Sequence, residues 1–142
     1  MKSFKVILVD DNEAFRTALK RFLIYEYNAD VTGEASCASE FRSLPNVFQA
    51  DLIFMDVMMP GENGISITKE FLWKYPGSRI IAITMHSDKV YLLTLIEAGF
   101  KGCIFKNELF DKLDSAITTV MANKLFFPEV IQIDNDNGNI IK

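Results

Sequence analysis

The chain has 142 residues, of which 49% are hydrophobic and 24% are charged. This length suffices for one compact domain with its own core and is too short to expect two. The net charge of −4 argues against direct binding of nucleic acid, because contacts to phosphates need a basic surface. We therefore expect one domain without direct nucleic acid contacts.

The two cysteines, Cys37 and Cys103, lie far apart and have no His or Cys at the spacing of a zinc site. They are predicted to be reduced thiols, as is typical of cytosolic proteins. The first apolar run, at 4–9, is too short for a signal peptide or a membrane span. These features predict a cytoplasmic protein without membrane contact.

Five short apolar runs are predicted strands, at residues 4–9, 30–35, 51–55, 79–84 and 101–105. Apolar residues at helical spacing predict helices between and after them. The clearest repeats are Phe15, Ala18, Leu19, Phe22 and Leu23, and Leu109, Leu113, Ala116, Ile117 and Val120; weaker patterns fall at 37–46, 64–74 and 88–98. Such alternation predicts an α/β fold, with a parallel sheet covered by helices on both faces.

Residues 128–142 are polar and have no helical period. They are predicted to be a linker or frayed tail, which leaves residues 1–127 as the domain. In the predicted fourth helix, helical spacing turns Leu92 and Leu95 toward the sheet and Leu93 outward. An exposed Leu93 near Cys103 would mean little by itself, but a patch of Leu93 with Tyr91 or Phe105 would make helix 4 and strand 5 a surface for a homodimer or an output partner.

Polar residues follow four of the predicted strands, where ligands bind in open parallel sheets. Asp10 and Asp11 follow the first strand, Asp56 ends the third, Thr84 the fourth and Lys106 the fifth. Singly, each has an ordinary interpretation: an aspartate can cap a helix, and a lysine is usually solvated. Their coincidence at one edge favours a functional site.

If the first and third strands are neighbours, three carboxylates converge and raise each other's pKa values unless a cation neutralises them. Oxygen ligands without His or Cys favour Mg²⁺. A carboxylate beside Mg²⁺ can attack a phosphoryl donor, while a lysine and a hydroxyl stabilise the transferred oxygens. Asp56 is the predicted nucleophile and Lys106 the phosphate-binding cation.

Four motifs, VDD at 9–11, MDVMMPGENG at 55–64, ITMHSD at 83–88 and EAGFKGCIFK at 97–106, resemble the receiver domains of bacterial two-component response regulators. The resemblance covers about residues 4–127 and is closest to receivers of LuxR/NarL-type transcription regulators. It implies a flavodoxin-like doubly wound (βα)5 fold with a five-stranded parallel sheet of order 2-1-3-4-5.

The resemblance also implies roles for the site residues. Asp56 would accept a phosphoryl group from a sensor histidine kinase or a histidine phosphotransfer protein. Asp11, Asp56 and the backbone carbonyl of Met58 would bind Mg²⁺ directly, and Asp10 would bind it through water.

Thr84 and Lys106 would contact the phosphoryl oxygens. The domain would then catalyse only its own phosphorylation and dephosphorylation, and would not be an enzyme acting on other substrates. Phosphorylation would change its surface and so regulate transcription through a DNA-binding domain absent from this chain.

Two features depart from the family pattern or modulate it. The family usually has Tyr or Phe three residues before its lysine as a switch, and here that position is Cys103. Phe105 shares the strand face of Cys103 and could replace the aromatic residue, or could simply be a core Phe.

Met58 and His86 occupy positions that border the attacking water in receivers, and we hypothesise that an apolar Met58 slows hydrolysis. Met58 could instead fill a gap, and His86 could be an ordinary loop residue.

Three alternatives remain. The chain could be a stand-alone receiver that signals through protein contacts, or a degenerate receiver, although all five pocket residues are present. It could also be a Mg²⁺-dependent phosphohydrolase with an aspartyl-phosphate intermediate. Those enzymes commonly have an Asp-x-Asp pair, whose second acid is replaced here by Met58.

Overall fold

The computed structural model describes residues 4–136 and 139–141. Seven strands and five α-helices follow one another in this part of the chain. They are β1 (Phe4–Val9), α1 (Glu13–Tyr27), β2 (Ala29–Ala35), α2 (Ala38–Ser43), β3 (Leu52–Asp56), α3 (Gly64–Lys74), β4 (Ile80–Thr84), α4 (Lys89–Ala98), β5 (Gly102–Phe105), α5 (Leu109–Met121), β6 (Gln132–Asp134) and β7 (Asn139–Ile141).

Strands β1 to β5 form one parallel sheet of order 2-1-3-4-5. The predicted doubly wound α/β fold is therefore confirmed. Asp56 pairs with Ile83 and Thr84 with Phe105, so the polar ends of three strands come to one edge of the sheet. The helices that connect the strands pack on the faces of the sheet, so this edge is bordered by loops and not by helices.

Two apolar cores lie on the two faces of the sheet, because successive strand residues point to opposite sides. In β1 and β3, one face packs with α2, α3 and α4 and the other with α1 and α5. The first set is Ile7, Val9, Ile53 and Met55, and the second is Val6, Leu8, Leu52 and Phe54. Strand β3 and the part of β1 from Val6 onward are thus buried on both sides.

Two predicted helical features differ from the structure. The second helix ends at Ser43, because Leu44 is extended (φ −68°, ψ 134°) and a residue before proline, here Pro45, disfavours the α conformation. The prediction that Leu93 is exposed is wrong, since Leu93 is partly buried and packs against the core. The apolar positions of α4 cover most of its circumference, and the exposed one is Val90, which is 71% exposed.

The chain after α5 runs along the edge of β5. Phe126 accepts a hydrogen bond from the amide of Cys103 (2.8 Å) and donates one to the carbonyl of Lys101 (3.0 Å). Phe127 and Ile131 are buried in the core that contains α4.

Further along, β6 and β7 pair as an antiparallel hairpin. The prediction of a frayed tail therefore misses the packing of Ile131 and this hairpin, and the domain boundary at residue 127 stays a prediction. Among the described residues, no helix combines the length and apolarity needed to cross a membrane.

Candidate functional site

Three carboxylates meet at the carboxyl edge of the sheet, as predicted. One oxygen each from Asp10, Asp11 and Asp56 lies within 4.8 Å of the others. Asp10 and Asp56 are buried (3% and 4% exposed), whereas Asp11 is exposed. The cluster therefore has two carboxylates on its floor and one open to solvent.

The end of β1 sets the position of Asp10. Its amide donates to the carbonyl of Ala35 on β2 (3.0 Å), and its carboxylate accepts from the amide of Asn12 (2.8 Å). The cap of α1 is Asn12, whose side chain accepts from the amide of Phe15 (3.0 Å). Capping thus explains neither Asp10 nor Asp11, and both carboxylates are available to the site.

Lys106 points into this cluster and is not a solvated loop lysine. Its Nζ lies 3.1 Å from Asp10 Oδ2 and 3.8 Å from Asp56 Oδ2. It also lies 4.4 Å from the centre of the Phe15 ring, so a cation–π contact helps to hold the ammonium group. The lysine at the end of β5 thereby connects the carboxylates of β1 and β3.

The charge balance of the site is negative. Burial and the nearby Asp10 carboxylate raise the pKa of Asp56 to about 7, while Lys106 and the Met58 amide act in the opposite direction. Asp10 Oδ2 is buried and accepts no hydrogen bond from the described residues, although the Lys106 ammonium is near. Three carboxylates facing one lysine form an oxygen-only donor set, which fits a hard divalent cation.

The loop between β3 and α3 holds Asp56 in place. The Met58 amide donates to Asp56 Oδ1 (3.1 Å), and the Gly64 amide donates to the carbonyl of Val57 (2.9 Å). A Cβ on Gly64 would lie 2.6 Å from the backbone oxygen of Asp56, closer than such atoms can approach. Only glycine allows α3 to begin so near the site.

Thr84 lies at the end of β4 and is buried. Its hydroxyl accepts a hydrogen bond from the His86 amide (3.1 Å). The His86 ring contacts the Tyr91 ring, with centroids 4.9 Å apart.

Met58 is 54% exposed, which argues against the interpretation that its side chain fills a gap in the core. Its sulfur lies 4.0 Å from the Tyr91 hydroxyl.

The two predicted switch positions lie on β5. Cys103 is buried, and burial raises its pKa to about 12, so the thiol is neutral and protected at physiological pH. Phe105 is partly buried against the core, which favours its interpretation as a core Phe. Both Cys37 and Cys103 are free thiols.

Sequence reasoning missed the contacts that three residues make around the site. Arg16 donates to the carbonyl of Asp10 and pairs with Glu34 (3.1 Å), Phe15 lies beneath Lys106, and Tyr91 contacts both Met58 and His86. Phe15 was recognised only as a helical core position. The position of Arg16 one helical turn after Asn12 was a signal that could have directed attention to it.

The family model of the response regulator receiver domain matches residues 6–118. The chain belongs to this family. Among curated relatives, it is 32% identical to the oxygen regulatory protein NreC of Staphylococcus carnosus over 82% of the chain. It is 29% identical to the response regulator GacA of Pseudomonas aeruginosa over 90% of the chain, and 27% identical to the transcriptional regulatory protein DegU of Brevibacillus brevis over 82%.

Solved receiver structures share its fold. A LuxR-family response regulator from Aurantimonas sp. superimposes with a TM-score of 0.80 at 28% identity, covering 88% of this chain and 89% of that one. The isolated receiver domain of RcsB from Salmonella enterica, in the presence of phosphomimetic BeF3−, gives a TM-score of 0.79 at 24% identity, with 90% and 95% coverage. The receiver domain is the part shared with larger relatives, since the aligned region spans 54% of NreC, 60% of GacA and 49% of DegU.

Proposed function

We propose that this receiver domain accepts a phosphoryl group on Asp56 from the phosphohistidine of a sensor kinase or a phosphotransfer protein. The observation that supports this most directly is the position of Lys106 Nζ, 3.1 Å from Asp10 and 3.8 Å from Asp56. A lysine held between carboxylates at the floor of a crevice is suited to bind a dianionic group as it arrives on Asp56.

In the proposed step, a carboxylate oxygen of Asp56 attacks the phosphorus and forms a P–O bond. The P–N bond to the donor histidine breaks, its electron pair stays on the imidazole nitrogen, and that nitrogen takes up a proton. Lys106 would neutralise the phosphoryl oxygens, and the Thr84 hydroxyl would donate a hydrogen bond to one of them.

We assign Mg²⁺ as the cofactor, because Asp10, Asp11 and Asp56 offer only oxygen ligands. Asp11, Asp56 and the Met58 carbonyl would bind it directly, and Asp10 would bind it through water. The ion would supply positive charge that offsets the repulsion between the carboxylates and the incoming phosphoryl group.

The output proposed for the whole protein is regulation of transcription, because the relative DegU is a transcriptional regulatory protein. The receiver would then lie in the cytoplasm and act through a separate DNA-binding domain. A homodimer or output contact through α4 and β5 stays a prediction, and its exposed apolar residue on α4 is Val90, not Leu93.

The test is incubation with acetyl phosphate, with and without Mg²⁺, followed by intact mass spectrometry. We expect one phosphoryl adduct per chain that needs Mg²⁺ and disappears in Asp56→Ala. Asp30→Asn is the matched control, because Asp30 is an exposed aspartate near the other end of the sheet. It should be phosphorylated like the wild type.

An adduct that survives in Asp56→Ala, or no adduct in the wild type, would refute the assignment of Asp56. Continuous release of phosphate from a phosphate ester, lost in Asp56→Asn, would instead favour the phosphohydrolase alternative.

A further inference from the structure

Tyr91 reaches from the first turn of α4 to the loops that follow β3 and β4. Its hydroxyl lies 4.0 Å from Met58 Sδ. Its ring centroid lies 4.9 Å from that of His86, at an interplanar angle of 45°. The start of α4 therefore contacts both loops through one side chain.

Each of these loop residues is also hydrogen-bonded to a site side chain. The Met58 amide donates to Asp56 Oδ1 (3.1 Å), and the His86 amide donates to Thr84 Oγ1 (3.1 Å). Two short paths thus run from Tyr91 to the site, one ending at the proposed phosphoacceptor and one at the hydroxyl proposed to bind its phosphate. Both paths begin at the same side chain, that of Tyr91.

The surroundings of the phenol agree with this position. Burial raises the pKa of the Tyr91 phenol above its ordinary value. The phenol is therefore protonated at neutral pH and able to donate.

Phosphorylation would alter both paths together. Once a carboxylate oxygen is bonded to phosphorus, Asp56 is a weaker acceptor for the Met58 amide. The Thr84 hydroxyl has one proton to donate, and a charged phosphoryl oxygen attracts it more strongly than a neutral acceptor. The rotation that brings this proton to the phosphate changes the bond between Thr84 Oγ1 and the His86 amide.

We infer that Tyr91 couples the phosphorylation state of Asp56 to the position of α4 through Met58 and His86. The inference rests on the proposed function and adds the residue through which the change leaves the site. Tyr91 is a positioning residue, because it contacts the two loops that hold the reacting groups. Its loss should separate phosphorylation from the response of α4.

The experiment compares wild type and Tyr91→Phe, which loses one hydroxyl and keeps the ring against His86. Hydrogen exchange of the α4 amides (89–98) is measured with Mg²⁺, before and after saturation with beryllofluoride, and acetyl phosphate labelling is measured in parallel. We expect labelling of Tyr91→Phe within about twofold of wild type, while the beryllofluoride-induced change in α4 exchange falls to roughly half or less.

Tyr75→Phe is the matched control, because Tyr75 is also partly buried but stacks on Phe48 at the end of α3; it should respond like wild type. Met58→Leu keeps an apolar side chain and removes the sulfur, so it should weaken the α4 response as Tyr91→Phe does. An unchanged α4 response in Tyr91→Phe, or no α4 response in labelled wild type, overturns the inference alone. Absence of labelling in wild type overturns the proposed function itself.

Discussion

Met58 contributes to the site through two separate parts of the residue. Its amide donates to Asp56 Oδ1 (3.1 Å), while its sulfur lies 4.0 Å from the Tyr91 hydroxyl. A substitution at this position therefore keeps the backbone hydrogen bond to Asp56 and changes the side chain, including its contact with Tyr91. Substitutions of Met58 can thus test phosphate lifetime, which is measured at Asp56 itself, without removing the amide that holds this carboxylate.

We predict that Met58→Asn or Met58→Lys shortens the lifetime of the aspartyl-phosphate. A polar side chain next to Asp56 can hold and orient the attacking water, which the apolar thioether cannot. We expect dephosphorylation about tenfold faster, corresponding to a barrier lower by about 1.4 kcal/mol. The measurement is the loss of the adduct over time by intact mass.

Met85→Asn serves as the control for this prediction, because Met85 is an exposed methionine in the β4–α4 loop. Its adduct should decay at the wild-type rate. Equal lifetimes in the Met58 variants and the wild type would remove the role proposed for the apolar side chain.

The site residues could be found from sequence because each stands at the end of a strand. A strand fixes the position of its last side chain, so Asp10, Asp56 and Thr84 follow from the strand pattern and the order of the sheet. The contacts of Tyr91 could not be found in this way. They depend on the rotation of α4 about its axis, and its nearly continuous apolar sequence leaves that rotation undetermined, as the wrong prediction for Leu93 shows.

At the level of the elements, the predicted and observed bounds of β1 to β5 agree within a residue. The clearest of these strands, β3 and β4, are continuous buried runs. Helix α3 (Gly64–Lys74) has the predicted bounds, set by the cap at Asn63. The tail was missed because β6 and β7 have three residues each. An alternating pattern cannot be recognised over that length.

The segment after α5 offers a test of how far the packed unit extends. Phe127 is 9% exposed and packs in the core. Truncation of a buried Phe leaves a cavity, so Phe127→Ala should lower the free energy of unfolding by about 3 kcal/mol. The measurement is urea denaturation of the whole chain.

Val130→Ala is the matched control, because Val130 is 48% exposed in the same segment. It should change the free energy of unfolding by less than about 0.5 kcal/mol. If the two variants are equally stable, Phe127 contributes no more to stability than an exposed residue of the segment.

At the scale of the whole molecule, the site lowers the stability of the metal-free protein. The pKa of Asp56 is raised to about 7 from its ordinary value of 3.8, so the folded protein holds this proton more tightly than the unfolded chain does. Stability from this group is therefore present at low pH and is lost as the pH rises from about 4 to about 7.

We predict that Asp56→Asn stabilises the metal-free protein above pH 7, by about 1 to 3 kcal/mol. The difference from wild type should shrink as the pH falls below about 7 and vanish below about pH 3, where Asp56 is protonated in both the folded and the unfolded state. Saturating Mg²⁺ should stabilise wild type more than Asp56→Asn, because the variant lacks one carboxylate ligand. Thermal unfolding with EDTA or with Mg²⁺, at several pH values, measures both effects; a less stable metal-free variant at pH 8 would contradict the charge argument.

The isolated β-bridge between Phe126 and Gly102 of β5 also bears on self-association. An uncovered edge strand presents unpaired backbone groups that recruit strands from other chains and promote aggregation. Here Phe126 pairs with that edge, and a Cβ on Gly102 would approach its carbonyl oxygen to 3.0 Å, so glycine keeps the edge closed. The other edge, β2, carries the charged residues Asp30 and Glu34. With one edge covered and the other charged, sheet extension is disfavoured, and copies of this domain should meet through helical surfaces instead.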